Sequence, residues 1–305
     1  MDDRSYVDRQ AFRFRLRQGF NSAWSLAPVE VSSRMLSIAL GLYFGLSAYL
    51  PLDPDCRAPQ ALPPDVEQSL RSDPGIPFDV ELTDGLDPDG GAVVRGSIAY
   101  RTAGSAVTRR LRFEYYHAQS EAARCPVILV NPISGGRYEL ERAIARDLAR
   151  HGNHAIVLFR VPRGEAGWLG GDFQALEDEL RSSVASRRRL VDWLETRSEI
   201  DTARIGVHGT SLGGILSVLH AAADQRIVAT VIFMAGGDLS ELLWRSIERG
   251  PRRFARAHGL TRDASDEDLV AFREVARATV KTDPCQLAKY IDPQSIFMAI
   301  ARRDT

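Results

Sequence analysis

From residue 124 onward the chain alternates short, nearly unbroken apolar runs with amphipathic stretches. Pro126–Val130 (PVILV), His154–Val161, Ala203–Val207, Ala229–Ala235 and Ser295–Ala301 are each five to eight residues long. Runs of that length without polar alternation predict strands buried on both faces. Between them the apolar period becomes helical. Leu140, Ile144 and Leu148 mark one face of Tyr138–Arg150, and Gly152 supplies the stop. Phe173, Leu176, Leu180, Val184, Val191 and Leu194 line a long helix that Asp172 can cap, and Leu212–Ala223 forms another. Strand–helix alternation of this kind predicts a mostly parallel sheet with helices on both faces. Before it, Ala92–Arg101 and Arg110–His117 read as antiparallel strands, with Asp87-Pro88-Asp89-Gly90-Gly91 as a turn.

Two further segments break the alternation. Residues 239–281 are charged and helical, with Ser265 and Asp268 resembling a capping box ahead of Leu269, Phe272, Ala276 and Val280. An insertion at that place predicts a lid. Near the other end, residues 35–50 (MLSIALGLYFGLSAYL) carry no charge and stop at Pro51. Residues 1–34 hold six Arg and four acids, whereas 51–75 hold two Arg and five acids. That asymmetry predicts a signal or membrane-anchor helix at 35–50 within an N-terminal segment 1–56, with the remainder exported. The alternatives are a buried helix and a cytoplasmic protein. Residues 57–77 are rich in proline and predict a linker, which leaves 78–305 as the main domain.

Composition narrows the function classes. The 305 residues carry a formal net charge of -1, which gives no general pull toward nucleic acid. The run Arg187-Arg188-Arg189 reads as a solvated helix face. Cys56, Cys125 and Cys285 are scattered, without metal-ligand spacing or a disulfide framework. No dinucleotide fingerprint surrounds Gly167–Gly171, so neither metal nor organic cofactor is expected.

The chemistry lies in His208-Gly209-Thr210-Ser211-Leu212-Gly213-Gly214. It fits G-x-S-x-G, between an apolar strand and a helix, where a sharp turn lifts a serine into reach of substrate. A serine hydroxyl is a weak nucleophile and needs a base for its proton and donors for the oxyanion. Helix N-termini offer free N–H groups, so the Leu212 N–H is one expected donor. Asn131-Pro132-Ile133-Ser134-Gly135-Gly136 follows the first buried strand and opens a helix.

These motifs resemble the α/β-hydrolase family over about residues 95–305. Asp283-Pro284-Cys285-Gln286-Leu287-Ala288 looks similar to bacterial esterase, dienelactone-hydrolase-like or prolyl-oligopeptidase-like members. The resemblance implies an α/β-hydrolase fold with a helical lid. It implies a second oxyanion donor from Ile133 or its neighbour Ser134, and Asp304 as the acid after Ser295–Ala301. Asp238 is the alternative acid, with helix capping as its competing role. The family order is serine, acid, histidine, and no histidine follows Asp304. His258, in the lid, is the remaining candidate base. The expectation is therefore a chain that lacks its last strand, the histidine loop and the final helix. Ser295–Ala301 would be an exposed edge and activity would be weak.

The function expected is a serine hydrolase acting on an ester, less readily an amide, through an acyl-enzyme on Ser211. Its partner would be a small-molecule acyl substrate, with membrane contact through residues 35–50. The alternatives are a non-catalytic binding protein on the same fold and an acyltransferase. Residues 163–172, with Trp168, and the insertion would shape the pocket.

Overall fold

A computed structural model describes residues 59–160, 172–261 and 263–299. The apolar run 35–50, most of the loop around Trp168, and Asp304 lie outside those residues. Among the described residues no helix is long and apolar enough to cross a membrane.

The chain enters through α1 (Pro64–Ser69) and a hairpin, β1 (Val80–Leu86) and β2 (Ala92–Tyr100), turned at Asp87–Gly91. β3 (Arg109–Tyr116) pairs antiparallel with β2. Strands and helices then alternate through β4 (Cys125–Asn131), α2 (Glu139–Arg150), β5 (His154–Leu158), α3 (Phe173–Leu194), β6 (Ile200–Thr210), α4 (Leu212–Ala223) and β7 (Ile227–Phe233). The insertion contributes α5 (Leu239–Arg245), α6 (Arg249–Ala257) and α7 (Asp266–Thr279), followed by the short α8 (Pro284–Leu287) and β8 (Ile296–Ala299). One sheet orders the strands β1-β2-β3-β5-β4-β6-β7-β8. β5, β4, β6, β7 and β8 are mutually parallel, which puts the loops after them on one edge of the sheet. Every residue of β4 and β5 is buried, as their unbroken apolar runs require. β8 is the outer strand among the described residues, with Met298 42% exposed.

Three expectations need correction. Residues 59–77 do not form a free linker: they carry α1 and bury Leu70 and Ile76 in the core. Leu140 turns to solvent, while Ile144 and Leu148 are buried. The arginine run is not a solvated face, because α3 is enclosed on nearly every side. Arg187 and Arg189 are 3% and 5% exposed. Arg189 donates to the Ile76 carbonyl and lies over the Phe78 ring.

The insertion is tied down at its base by two carboxylates. Asp283 accepts from the Leu239 N–H (2.6 Å) and the Asp238 N–H (3.2 Å), joining its start to its end. Glu177 of α3 accepts from the Lys281 and Thr282 N–H groups and the Thr282 hydroxyl. Phe254 and Phe272 pack on Phe173, each with ring centroids 5.1 Å away. Ser265 and Asp268 form the expected capping box on α7.

Candidate active site

Ser211 stands between β6 and α4 at φ 54 and ψ -122, a conformation that side chains rarely adopt. Two contacts hold it there. Its N–H donates to the Phe233 carbonyl of β7 (2.9 Å), and its carbonyl accepts from Gly214 (2.9 Å) and Ile215 (3.1 Å). The turn is closed so tightly that a Cβ on Gly209 would overlap the Gly213 carbonyl. A Cβ on Gly214 would stand 2.5 Å from that of Ala235. Only glycine fits at these close approaches. The Leu212 N–H has no acceptor among the described residues and sits at the N-terminus of α4, where partial positive charge collects.

The loop after β4 packs directly on this turn. The Asn131 and Pro132 carbonyl oxygens lie 2.5 and 3.0 Å from where a Gly213 Cβ would stand. A buried polar chain reinforces the junction. Arg187 Nε donates to Asn131 Oδ1 (2.5 Å), Asn131 Nδ2 to Ser217 Oγ (2.9 Å), and Ser217 Oγ to the Gly213 carbonyl (2.8 Å). Burial pulls the Arg187 guanidinium down to about 10, with no carboxylate beside it among the described residues.

The loop's first N–H is already committed. Ile133, an expected donor, gives its N–H to Glu141 Oε1 at 2.7 Å. Glu141 is 2% exposed and sits in the first turn of α2, a favourable place for a carboxylate. Ser134, the other expected donor, has an N–H with no acceptor among the described residues. Arg160, just past β5, binds the loop's carbonyls from its other side.

Asp238 and His258 are each engaged by neighbours other than Ser211. Asp238 caps α5 through the Glu241 N–H and pairs with Arg277 (2.6 Å) and Ser240. Burial would raise its pKa, but those hydrogen bonds outweigh it and hold the carboxyl below its usual range. That is the capping role. None of the six histidines hydrogen-bonds to Ser211 among the described residues. His258 stacks on Phe254 (4.2 Å) and donates from Nδ1 to the Phe254 carbonyl (2.9 Å). His208 and His220 are 1% and 0% exposed. Burial pushes them down to about 4 and about 3 respectively, so both are neutral at pH 7.

A cavity of about 530 Å³ lies between the start of α3 and the insertion, lined by Phe173, His258, Leu260, Phe272 and Val275 among others. Its lining includes no residue of the turn or of the loop after β4. Among the described residues, the space beside the insertion is therefore not bordered by Ser211 or its neighbours. Among the described residues no cluster of His, Cys, Asp or Glu could hold a metal ion.

The overall fold is shared with known proteins. Acetyl xylan esterase 1 from Thermoanaerobacterium sp. superposes on 82% of this chain and 91% of its own, with TM-score 0.54 at 15% identity. An acetyl xylan esterase from Paenibacillus sp. R4 covers 79% of this chain and 93% of its own, with TM-score 0.49 at 14% identity. The chain has the α/β-hydrolase fold. The model of the dienelactone hydrolase family matches residues 113–248, from β3 through the turn at Ser211 to just past α5. An uncharacterized protein of Mycobacterium tuberculosis is 28% identical over 142 residues, 42% of this chain. The match spans 34% of that relative's length.

Glu141, Arg160 and Arg187 were not visible as site residues in the sequence. Each acts through a backbone or amide group brought near only by the fold. The one available signal was Arg187, a charge in the middle of a helix whose neighbours Ser182, Ser183 and Ser186 are small enough to be buried.

Proposed function

We propose that this chain is a serine-dependent hydrolase of carboxylic esters, with Ser211 as the nucleophile. The observation that carries the reading is the strained Ser211 at a helix N-terminus, with the uncommitted Leu212 N–H beside it and the loop after β4 packed on Gly213. Ser211 Oγ attacks the ester carbonyl carbon, and the oxygen that gains negative charge is held by the N–H groups of Leu212 and Ser134. Ile133 stays as the alternative donor if Glu141 releases it. The proton released from Ser211 Oγ passes through solvent to the departing alkoxide, which leaves as the alcohol, and water then cleaves the acyl-serine to the acid and free serine. Two similar solved structures are named acetyl xylan esterases, which supports ester chemistry on small acyl groups.

An ester fits better than an amide because an amine leaving group needs a proton delivered in the transition state. No histidine is assigned that task here. Asp304 remains the proposed orienting acid. A binding protein on the same fold is the second reading. An acyltransferase would differ only in the molecule that takes the acyl group. The apolar run 35–50 supports an exported or membrane-anchored placement.

The test is a burst experiment with p-nitrophenyl acetate. Up to one p-nitrophenolate per chain should appear ahead of slow turnover, and Ser211→Ala should abolish the burst. Equal release by both proteins would reject the serine reading and leave the binding protein.

A further inference from the structure

Arg160 donates to three carbonyls of a single loop: Nη1 to Ile133 (2.7 Å) and Gly135 (2.6 Å), Nη2 to Gly136 (2.9 Å). The same residue is fixed from two further directions. Its backbone N–H donates to the Tyr138 hydroxyl (3.1 Å), and its guanidinium lies 4.6 Å from the Tyr138 ring centroid. Among the described residues it has no carboxylate partner. Among the described residues, the hydrogen bonds of this guanidinium, a rigid fork of donors, all go to backbone oxygens.

The consequence follows from peptide geometry. A trans peptide is planar, so a carbonyl and the N–H that follows it point in opposite directions. With the Ile133 oxygen drawn to Arg160, the Ser134 N–H must face the other way. The preceding peptide is fixed independently, because the Ile133 N–H is bound to Glu141. Its neighbours Asn131 and Pro132 lie against Gly213, two residues past Ser211. The Ile133–Ser134 peptide is thus held at its oxygen, while its N–H has no acceptor among the described residues.

We propose that Arg160 is a positioning residue that orients the Ser134 N–H as the second oxyanion donor. This rests on the serine reading given above. By drawing electrons toward the Ile133 oxygen, the guanidinium also polarises the same peptide and strengthens the N–H that faces the reacting carbonyl. Arg160 touches no reacting atom. Its effect belongs to the step in which negative charge develops, and substrate binding is largely indifferent to it.

The experiment compares the full chain with Arg160→Gln and Arg160→Lys, using p-nitrophenyl acetate and a trifluoromethyl ketone that adds to serine as an oxyanion. Arg160→Gln should lower the acylation rate constant by at least about 10-fold, with the apparent substrate binding constant within about 3-fold. Affinity for the trifluoromethyl ketone should fall in parallel, and Arg160→Lys should recover part of both losses. A purely structural role would instead reduce the folded fraction and leave the rate constant of folded molecules unchanged. That result, or wild-type acylation in Arg160→Gln, overturns the proposal. Should the Gln variant fail to fold, the wild-type chain still decides by NMR. On ketone addition the Ser134 amide proton should move downfield, and an unmoved Ser134 amide overturns the proposal. If the wild-type chain forms no acyl-enzyme at all, the serine reading falls first and this inference with it.

Discussion

The carbonyl oxygen of Asn131 lies 2.5 Å from where a Cβ on Gly213 would stand. The end of β4 and the first turn of α4 are therefore in backbone contact, and whatever moves one moves the other. Gly213→Ala should cost about 1–3 kcal/mol in urea denaturation, as expected for overpacking where the neighbour is backbone. The burst at Ser211 should fall more than stability does, because relief of the clash displaces the loop after β4. A variant with wild-type stability and burst would show that the contact does not constrain the site.

Arg142 and Glu114 form the ion pair that anchors α2, the helix opened by the same loop. Glu114 is 2% exposed and receives Arg142 Nε at 2.7 Å and Nη2 at 3.0 Å. Arg95 reaches it only at 4.0 Å. Arg142→Leu leaves a buried carboxylate short of its main partner and should destabilise the chain by about 3–5 kcal/mol. The double variant Arg142→Leu with Glu114→Leu should cost much less, since no uncompensated charge remains. Equal losses from the single and double variants in denaturant titrations would contradict this pairing.

Acid sensitivity should trace to two buried histidines. Burial lowers His208 to about 4 and His220 to about 3, and neither His220 ring nitrogen has a hydrogen-bond partner among the described residues. A histidine with a lower pKa folded than unfolded gains its proton on unfolding. Stability should therefore be level above about pH 6.5 and fall below it, by about 1.4 kcal/mol per pH unit for each histidine. The loss runs down to about pH 4 for His208 and about pH 3 for His220. Asp283, which burial raises, contributes the opposite sign, so the comparison is between variants. His220→Leu should keep stability at pH 7 and give a shallower acid limb; superimposable pH profiles would contradict the assignment.

The alternating half of the fold was legible because β4 and β5 are buried throughout and α2 buries one face between them. Helix α4 matches its expected bounds, Leu212–Ala223, because a glycine-bounded turn fixes its start. Ser211 was legible for the same reason, since crowding at Gly209 and Gly213 dictates the motif. Arg187 was misread because a charge run looks solvated until Asn131 is brought to it from a distant strand, beside the Ser183 carbonyl one turn back on its own helix. Arg160 and Glu141 were invisible because they bind backbone groups, which leave no trace in side-chain patterns. Residues 59–77 were misread because prolines signal an irregular path and not whether that path is buried.

The account depends on Ser211 being a nucleophile, and an active-site-directed fluorophosphonate tests that directly. Incubated with the folded chain and followed by peptide mass spectrometry, the reagent should add one phosphonyl group, on the peptide containing Ser211, and none to Ser211→Ala. A folded chain that takes up no label at Ser211, or labels equally in the alanine variant, would contradict the account.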